Sequence, residues 1–483
     1  MKDPRDIVSV LLLAVLAFRP HLSGAAFPFS QELLLIPLLI ALGLLLISSQ
    51  GPAVRKMDLG HLSCPWLLGA WTLITVLWSP DPGQGVRDCV TLFLNLSAFT
   101  VVYLLVRDSN RVDRHAAWLS GLVILPVLTA ALYQKMFGLA GIEAMLADMA
   151  ARGEDVSGLT GVISGGRVFA GFLNANMLAG FLVVALPLSL DCALKAPERR
   201  GALLYWLLVC GQGTVLLLTG SMGGTLAAAL ACAGVVVVRR GVKGRELLAL
   251  ALVAGILGAG LLAVRGLDPI FGPESSVSQR AGYVAAGVGM ALERPLLGWG
   301  AGSSPGALMG YVARGVRPVT DPHNFHVRIW METGIPGLAL LGCFLLGLSR
   351  CILRQVRGGG LKGSPRGYAG LLFASAGFLF HGLVDMGFFV PETALFGWCA
   401  MGALLAMSTA GVRDGTEGDM PLFLRQTAGG IALFAVIPAL VLLQGENLAF
   451  RGLKASQSGQ YRSAAELYRE AGRFLPFNGR VAL

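Results

Sequence analysis

Thirteen apolar runs punctuate this chain, at about 7–18, 32–49, 62–78, 89–106, 116–136, 168–190, 201–219, 222–238, 247–264, 330–349, 367–384, 392–409 and 427–444. Most are long enough to cross the roughly 30 Å hydrocarbon core of a bilayer. Lipid offers no partner to a backbone N–H or C=O, so each run pairs its own backbone as a helix. The pattern predicts an all-α polytopic membrane protein of about 12 to 13 transmembrane helices. With 55% hydrophobic and 14% charged residues among 483, a soluble globule is excluded.

The connections divide the chain further. Helices fill 1–264 and 330–444, a long polar loop spans 265–329, and a tail runs from 445 to 483. Basic residues gather in alternate connections: Arg55 and Lys56; Arg107, Arg111 and Arg114; Lys195, Arg199 and Arg200; Arg239, Arg240, Lys243 and Arg245; Arg350, Arg354, Arg357, Lys362 and Arg366. By the positive-inside rule these face the cytoplasm. The connection at 137–167 is acidic through Glu143, Asp148, Glu154 and Asp155, so it and 265–329 face outward, as does the tail if the spans number thirteen. The net charge of +10 is thereby explained by orientation and not by nucleic acid, because it lies on no single face.

Two ends of the chain leave alternatives open. The first run follows Lys2 and Arg5 and precedes Arg19 and Ser23-Gly24-Ala25-Ala26, so both a cleaved signal peptide and a retained first helix fit. The tail carries Ala449-Phe450-Arg451-Gly452, Gly459-Gln460-Tyr461-Arg462, Ala464-Ala465, Tyr468, Ala471 and Pro476. That pattern is similar to one tetratricopeptide repeat, a surface for a protein partner, and equally to one amphipathic helix lying on the membrane. The eight cysteines lie in or beside apolar runs with no CxxC, which predicts neither a structural disulfide nor a zinc site.

Residues able to do chemistry concentrate between 265 and 337. Arg265, Arg280, Arg294, Arg314, Arg317 and Arg328 share this stretch with Asp321-Pro322-His323-Asn324-Phe325-His326 and Glu332. Cations beside a membrane are costly unless paired or hydrated, so the cluster marks a site for an anion. Arg280 near the start of a helix at 281–292, stopped by Pro295, can grip phosphate through two parallel hydrogen bonds. His323 has a pKa range suited to accepting a proton, with Asn324 and His326 beside it. His323, His326 and Glu332 also read as metal ligands, although the HExxH order is missing, and no metal or other cofactor is expected.

Other polar residues interrupt apolar helices. Arg167, Asn174 and Asn176 open the sixth run, where the amides either bind a substrate or cap and glue helices. Thr219-Gly220-Ser221-Met222-Gly223-Gly224 is a tight turn whose amides could also cradle phosphate. His381 and Asp385, one helical turn apart, either form an ordinary pair between helices or belong to the site.

Together these residues resemble the O-antigen ligase and Wzy-type polymerase superfamily of bacterial envelope glycosyltransferases. The resemblance rests on Phe169-Ala170-Gly171-Phe172-Leu173-Asn174-Ala175-Asn176-Met177-Leu178-Ala179-Gly180, on Arg280 with Pro295-Leu296-Leu297-Gly298-Trp299-Gly300, and on His323-Asn324 with Glu332-Thr333-Gly334-Ile335-Pro336-Gly337. It implies a fold of GT-C type in the bacterial inner membrane, with the active site facing the periplasm. The implied reaction is metal-independent transfer of a glycan from an undecaprenyl-diphosphate-linked donor to a hydroxyl acceptor, which is a lipid core, a growing polysaccharide or a protein. By that likeness Arg280 binds diphosphate and His323 serves the acceptor or the leaving group. Ligases of this family often carry Ser-Arg where this chain has Ser221-Met222, so Arg167, Arg265 or Arg294 has to supply the second cation. A transporter or flippase of the same lipid-linked glycan is the competing class, and it predicts inverted repeats that the sequence does not show.

Overall fold

The computed structural model describes residues 4–22, 27–48, 59–107, 119–153, 166–241, 275–359, 367–409 and 420–477, with 272, 361, 364 and 365. Among them the chain is helical throughout and has no strand. Fifteen helices are numbered here: α1 (Pro4–Phe18), α2 (Ser30–Ser48), α3 (Leu59–Thr75), α4 (Pro82–Arg107), α5 (Ser120–Ala151), α6 (Ala175–Leu194), α7 (Arg199–Leu218), α8 (Met222–Arg240), α9 (Ser276–Glu293), α10 (Phe325–Gly359), α11 (Tyr368–His381), α12 (Pro391–Thr409), α13 (Leu422–Phe434), α14 (Val436–Gln457) and α15 (Tyr461–Phe474). Each of the twelve apolar runs at described positions falls on a helix, and eight helices, counting α13 and α14 as one, are long and apolar enough to span a membrane. The chain is an all-α polytopic membrane protein. The run at 247–264, Arg265, Glu154, Asp155 and several of the basic loop residues (Arg55, Lys56, Arg111, Arg114, Lys243, Arg245, Lys362 and Arg366) lie outside the described residues.

Two boundaries differ from the sequence reading. The fifth run continues through two wider turns, at Ser120–Ile124 and Gln134–Gly138, to Ala151, so half of the expected 137–167 connection is helix. Leu139 and Leu146 are buried on one face of that extension, which gives it a reason to stay wound. The tenth run starts early, at Phe325, because the side chain of Asn324 accepts from the backbone N–H groups of His326 and Val327 and caps it there. It then bends at Gly334, whose φ of 69° no L side chain adopts cheaply.

The tail is a helix pair. Antiparallel α14 and α15 turn at Gly459, seal Leu448, Ala471 and Leu475 between them, and seat Tyr468 against Gly452. Neither helix lies alone, as the single-helix alternative required.

At the bundle centre, Phe99 of α4, Phe344 of α10, Phe388 and Trp398 of α12 meet ring to ring at 5.6–5.9 Å. Gly402 lets α12 reach the α4 backbone, since a Cβ there would stand 2.4 Å from the Phe99 carbonyl oxygen. α6 is the innermost helix, with 89% of its span buried against 17% for α7, which presents leucines to lipid. Its 20 residues rise about 30 Å. At one end the backbone carbonyl of Thr219 and the side chain of Asn176 hold Arg167. At the other, Asp191 is clasped by Arg239 of α8, which also reaches the backbone of Ser364 and Pro365, while the Gly370 N–H of α11 donates to the same carboxylate. Lys195 lies at this second end too, so Lys195 and Arg239 stand at the opposite end of α6 from Arg167.

Candidate active site

Five separate stretches build the site. Ser275 accepts from the Ser278 N–H and starts α9, which places Arg280 on its first turns. The segment before α10 is pinned to the end of α11: Phe325 N–H donates to the Gly382 carbonyl and the Asn324 side chain donates to that of Leu383. Asp321 accepts from the His323 N–H at 2.7 Å and holds His323 at a φ of 55°, a region that histidine enters only under constraint. Asp385, nearly fully buried, caps the short turn Met386–Phe388 with one oxygen and receives Arg280 Nη2 on the other at 2.8 Å. Nδ1 of His323 stands 3.8 Å from Asp385 Oδ1 and has no hydrogen-bond partner. The His323 ring lies against that of Tyr283, centroids 5.3 Å apart, and burial pushes the Tyr283 phenol above its ordinary pKa.

The second face of the site is the start of α8. Ser221 accepts from the Gly224 N–H as the helix cap, and Gly223 lies beside Arg280 Nη1. Arg167 arches over the same turn, donating to the Thr219 carbonyl at 2.6 Å and to Asn176 at 2.7 Å. Its pKa is lowered mainly by burial and further by the charge of Arg280, with Asp385 opposing. Two guanidinium groups and the N-terminus of α8 therefore gather near one buried carboxylate, an arrangement that suits a multiply charged anion.

Residues 204–342 match the family model described as O-antigen ligase. That stretch, the ligase domain, is similar to O-antigen ligases. No curated protein matches it. The match supports the O-antigen ligase and Wzy-type resemblance read from the sequence, and with it a role in glycan transfer for envelope polysaccharide synthesis. Ser221, Arg280, His323, Asn324, His326, Arg328 and Glu332 fall inside the ligase domain, while Arg167, Asn174, Asn176, His381 and Asp385 lie outside the matched residues.

Of the arginines considered as the second cation, Arg167 and Arg294 are among the described residues, and Arg167 is the one that feels the charge of Arg280, over the turn before α8. Arg294 lies over the Trp299 ring at 4.0 Å, and Met222 points outward, 58% exposed. Asn174 caps α6, accepting from the N–H groups of Asn176 and Met177, while Asn176 is committed to Arg167. His381 is buried beneath the site against Gly180 and Gly387. The His326 ring stacks on Phe325 at 3.9 Å.

Arg328 and Glu332 form a separate network. Arg328 reaches Asp88 at 2.7 Å, Asp321 at 2.8 Å and Glu332 at 3.5 Å, and lies 4.2 Å above the Phe389 ring. Glu332 also accepts from the Ser304 N–H. Among the described residues no three His, Cys, Asp or Glu side chains are arranged to hold a metal ion, since Glu332 is drawn to Arg328 and not to the histidines. The backbone of the kink accepts the glycine turn of the ligase domain: Trp299 N–H donates to Met331, Gly300 N–H to Glu332, and Ile335 N–H to Pro295. The two glycine-rich motifs of the resemblance are thus the two halves of one joint. Sequence reading missed Asp88 and Asp321 as site supports. A carboxylate at the mouth of an apolar run needs a cation, but nothing local in the sequence pointed to Arg328, 240 residues from Asp88.

Proposed function

We propose that the protein transfers a glycan from undecaprenyl diphosphate to a hydroxyl acceptor at the periplasmic face of the bacterial inner membrane, with 265–329 as the periplasmic loop that carries the site. The observation that carries this reading is the placement of Arg167, Arg280 and the α8 N-terminus around the Asp385 and His323 pair. A diphosphate leaving group gains charge as the bond from its oxygen to the anomeric carbon breaks. Preorganised guanidinium groups and amides stabilise that charge most in the transition state. His323 takes the proton of the acceptor hydroxyl as its oxygen bonds to the anomeric carbon, and Asp385 stabilises the imidazolium that forms. The proton then leaves His323 for water or the released diphosphate. An apolar cavity of about 650 Å³ between α2, α3, α4, α13 and α14, lined by Leu35, Leu39, Leu42, Trp66 and Phe93, has the character needed for a polyprenyl or acyl chain. The proposed chemistry needs no metal.

The deciding experiment is reconstitution of the purified protein in vesicles with an undecaprenyl-diphosphate-linked glycan and a panel of hydroxyl acceptors. Transfer that persists in chelator supports the reading. Movement of the intact lipid across the bilayer without any new glycosidic bond would replace it with a flippase.

A further inference from the structure

A second polar cavity, of about 580 Å³, opens at the same end of the bundle. It is enclosed by the starts of α2, α4 and α12, by Arg328 of α10, and by the tail pair α14 and α15. It shares a wall with the candidate active site. Arg328 Nη2 binds Asp88 on the cavity side, its Nη1 binds Asp321, and Asp321 in turn accepts from the His323 N–H. Phe389, stacked under Arg328, lines the cavity three residues after Met386, whose N–H is capped by Asp385.

The chemistry of the lining differs from that around Arg280. Each charge in it is already matched: Arg87 by Glu446 at 3.3 Å, Arg328 by Asp88, and Glu392 by Arg19 at 3.2 Å. A phosphate therefore meets no excess positive charge here. What the cavity offers instead is the planar amides of Gln31 and Gln84, the hydroxyl of Thr91, and the aromatic rings of Phe389, Phe450 and Tyr468. Such a mixture suits a ligand whose every hydroxyl both donates and accepts, and whose ring has an apolar face to lay on an aromatic one. The volume lies within the range of about 300–1,000 Å³ usual for small-ligand sites.

We infer that this cavity is an acceptor subsite, holding an uncharged, hydroxyl-rich sugar of the acceptor that lies away from the reacting hydroxyl at His323, with the tail pair as its outer wall. The inference rests on the glycan-transfer reading. It assigns the tail a part in acceptor choice, through Phe450 and Tyr468, that a distant docking module would not have.

Two probes separate this inference from the donor site. Uncharged, lipid-free oligosaccharides test the cavity, and inorganic pyrophosphate tests Arg167 and Arg280; both are titrated against the purified full chain in nanodiscs. Gln31→Leu and Tyr468→Ala are expected to weaken oligosaccharide binding about five- to tenfold, the effect of one lost contact. Both should leave pyrophosphate affinity within twofold, which also shows that the variants are folded. Arg280→Ala should do the reverse. Failure of the wild type to bind the oligosaccharides, or undiminished binding by both cavity variants, overturns the acceptor subsite whatever pyrophosphate does. Loss of pyrophosphate binding in the cavity variants overturns it as well, by making the cavity part of the donor site. Pyrophosphate binding that ignores Arg280→Ala counts instead against the glycan-transfer reading.

Discussion

Arg280 and Asp385 stand 105 residues apart in the chain, yet a 2.8 Å hydrogen bond joins Nη2 of one to Oδ2 of the other. The pair sets the resting state of the site. While the anion is absent, Asp385 occupies one edge of the Arg280 fork, and its second oxygen lies 3.8 Å from His323 Nδ1. On the proposed function, an arriving diphosphate is expected to draw Arg280 toward itself and leave Asp385 to serve the histidine.

Asp385→Asn is therefore expected to split the kinetic constants. Donor KM should stay level or fall, since Arg280 is released, while kcat falls about 10²- to 10³-fold because a neutral amide does not stabilise imidazolium. Steady-state transfer kinetics check this. An unchanged kcat would remove Asp385 from the mechanism.

Arg280→Lys keeps the charge and loses the fork. One missing charge-assisted hydrogen bond in the transition state is worth roughly 1.5–3 kcal/mol, or about ten- to over a hundredfold in rate. Arg167→Gln should act in the same direction, because Arg167 is the second guanidinium over the turn that starts α8. Full activity in both variants would contradict a diphosphate site here.

His323→Ala should bind donor with nearly normal affinity and turn over slowly, and the defect should shrink as pH rises and hydroxide replaces the missing base. A defect that is flat from pH 6 to 9 would assign His323 to holding the loop and not to moving the proton.

How much of this was legible beforehand follows from the residue types involved. Apolar runs announce themselves, so the helices were readable, and Arg280, His323 and Asp385 stood out because polar groups at the ends of such runs carry a cost that something must offset. Legibility failed where the reason for a residue is three-dimensional. The Pro295–Gly302 turn and the Glu332–Gly337 motif read as separate signatures, but Gly298 and Gly334 are glycine because each approaches the backbone of the other's segment, at 2.5 Å and 2.2 Å for an added Cβ. The partners of Arg328 lie 240 residues away at Asp88 and 7 away at Asp321, and no local pattern links them.

Arg328→Met should be among the most destabilising single changes in the protein. It leaves Asp88, Asp321 and Glu332 facing one another without their cation, a loss of about 3–5 kcal/mol for a buried pair broken from one side. Thermal unfolding of the purified variant measures it, and a melting temperature equal to wild type would refute the network's structural role.

Gly334→Ala puts a Cβ 2.2 Å from the Leu296 carbonyl oxygen at a φ of 69°. The backbone strain alone is worth roughly 1–3 kcal/mol, and the collision adds to it. The variant should unfold at lower temperature and lose transfer in parallel, because the same joint carries the start of α10 and so His323. Normal stability in detergent would show that the joint tolerates a side chain.

The clasp between Asp191 and Arg239 bears on how the protein is made. Each residue belongs to a different span, 48 positions apart, and either one alone in hydrocarbon would oppose insertion. As nascent α6 leaves the translocation machinery, its carboxylate has no counter-ion until α8 has been synthesised. The three spans from α6 to α8 are thus expected to partition into the bilayer together, as one delayed step of biogenesis, and Arg239→Ala should expose that delay as degradation of the newly made chain before any loss of activity can be measured.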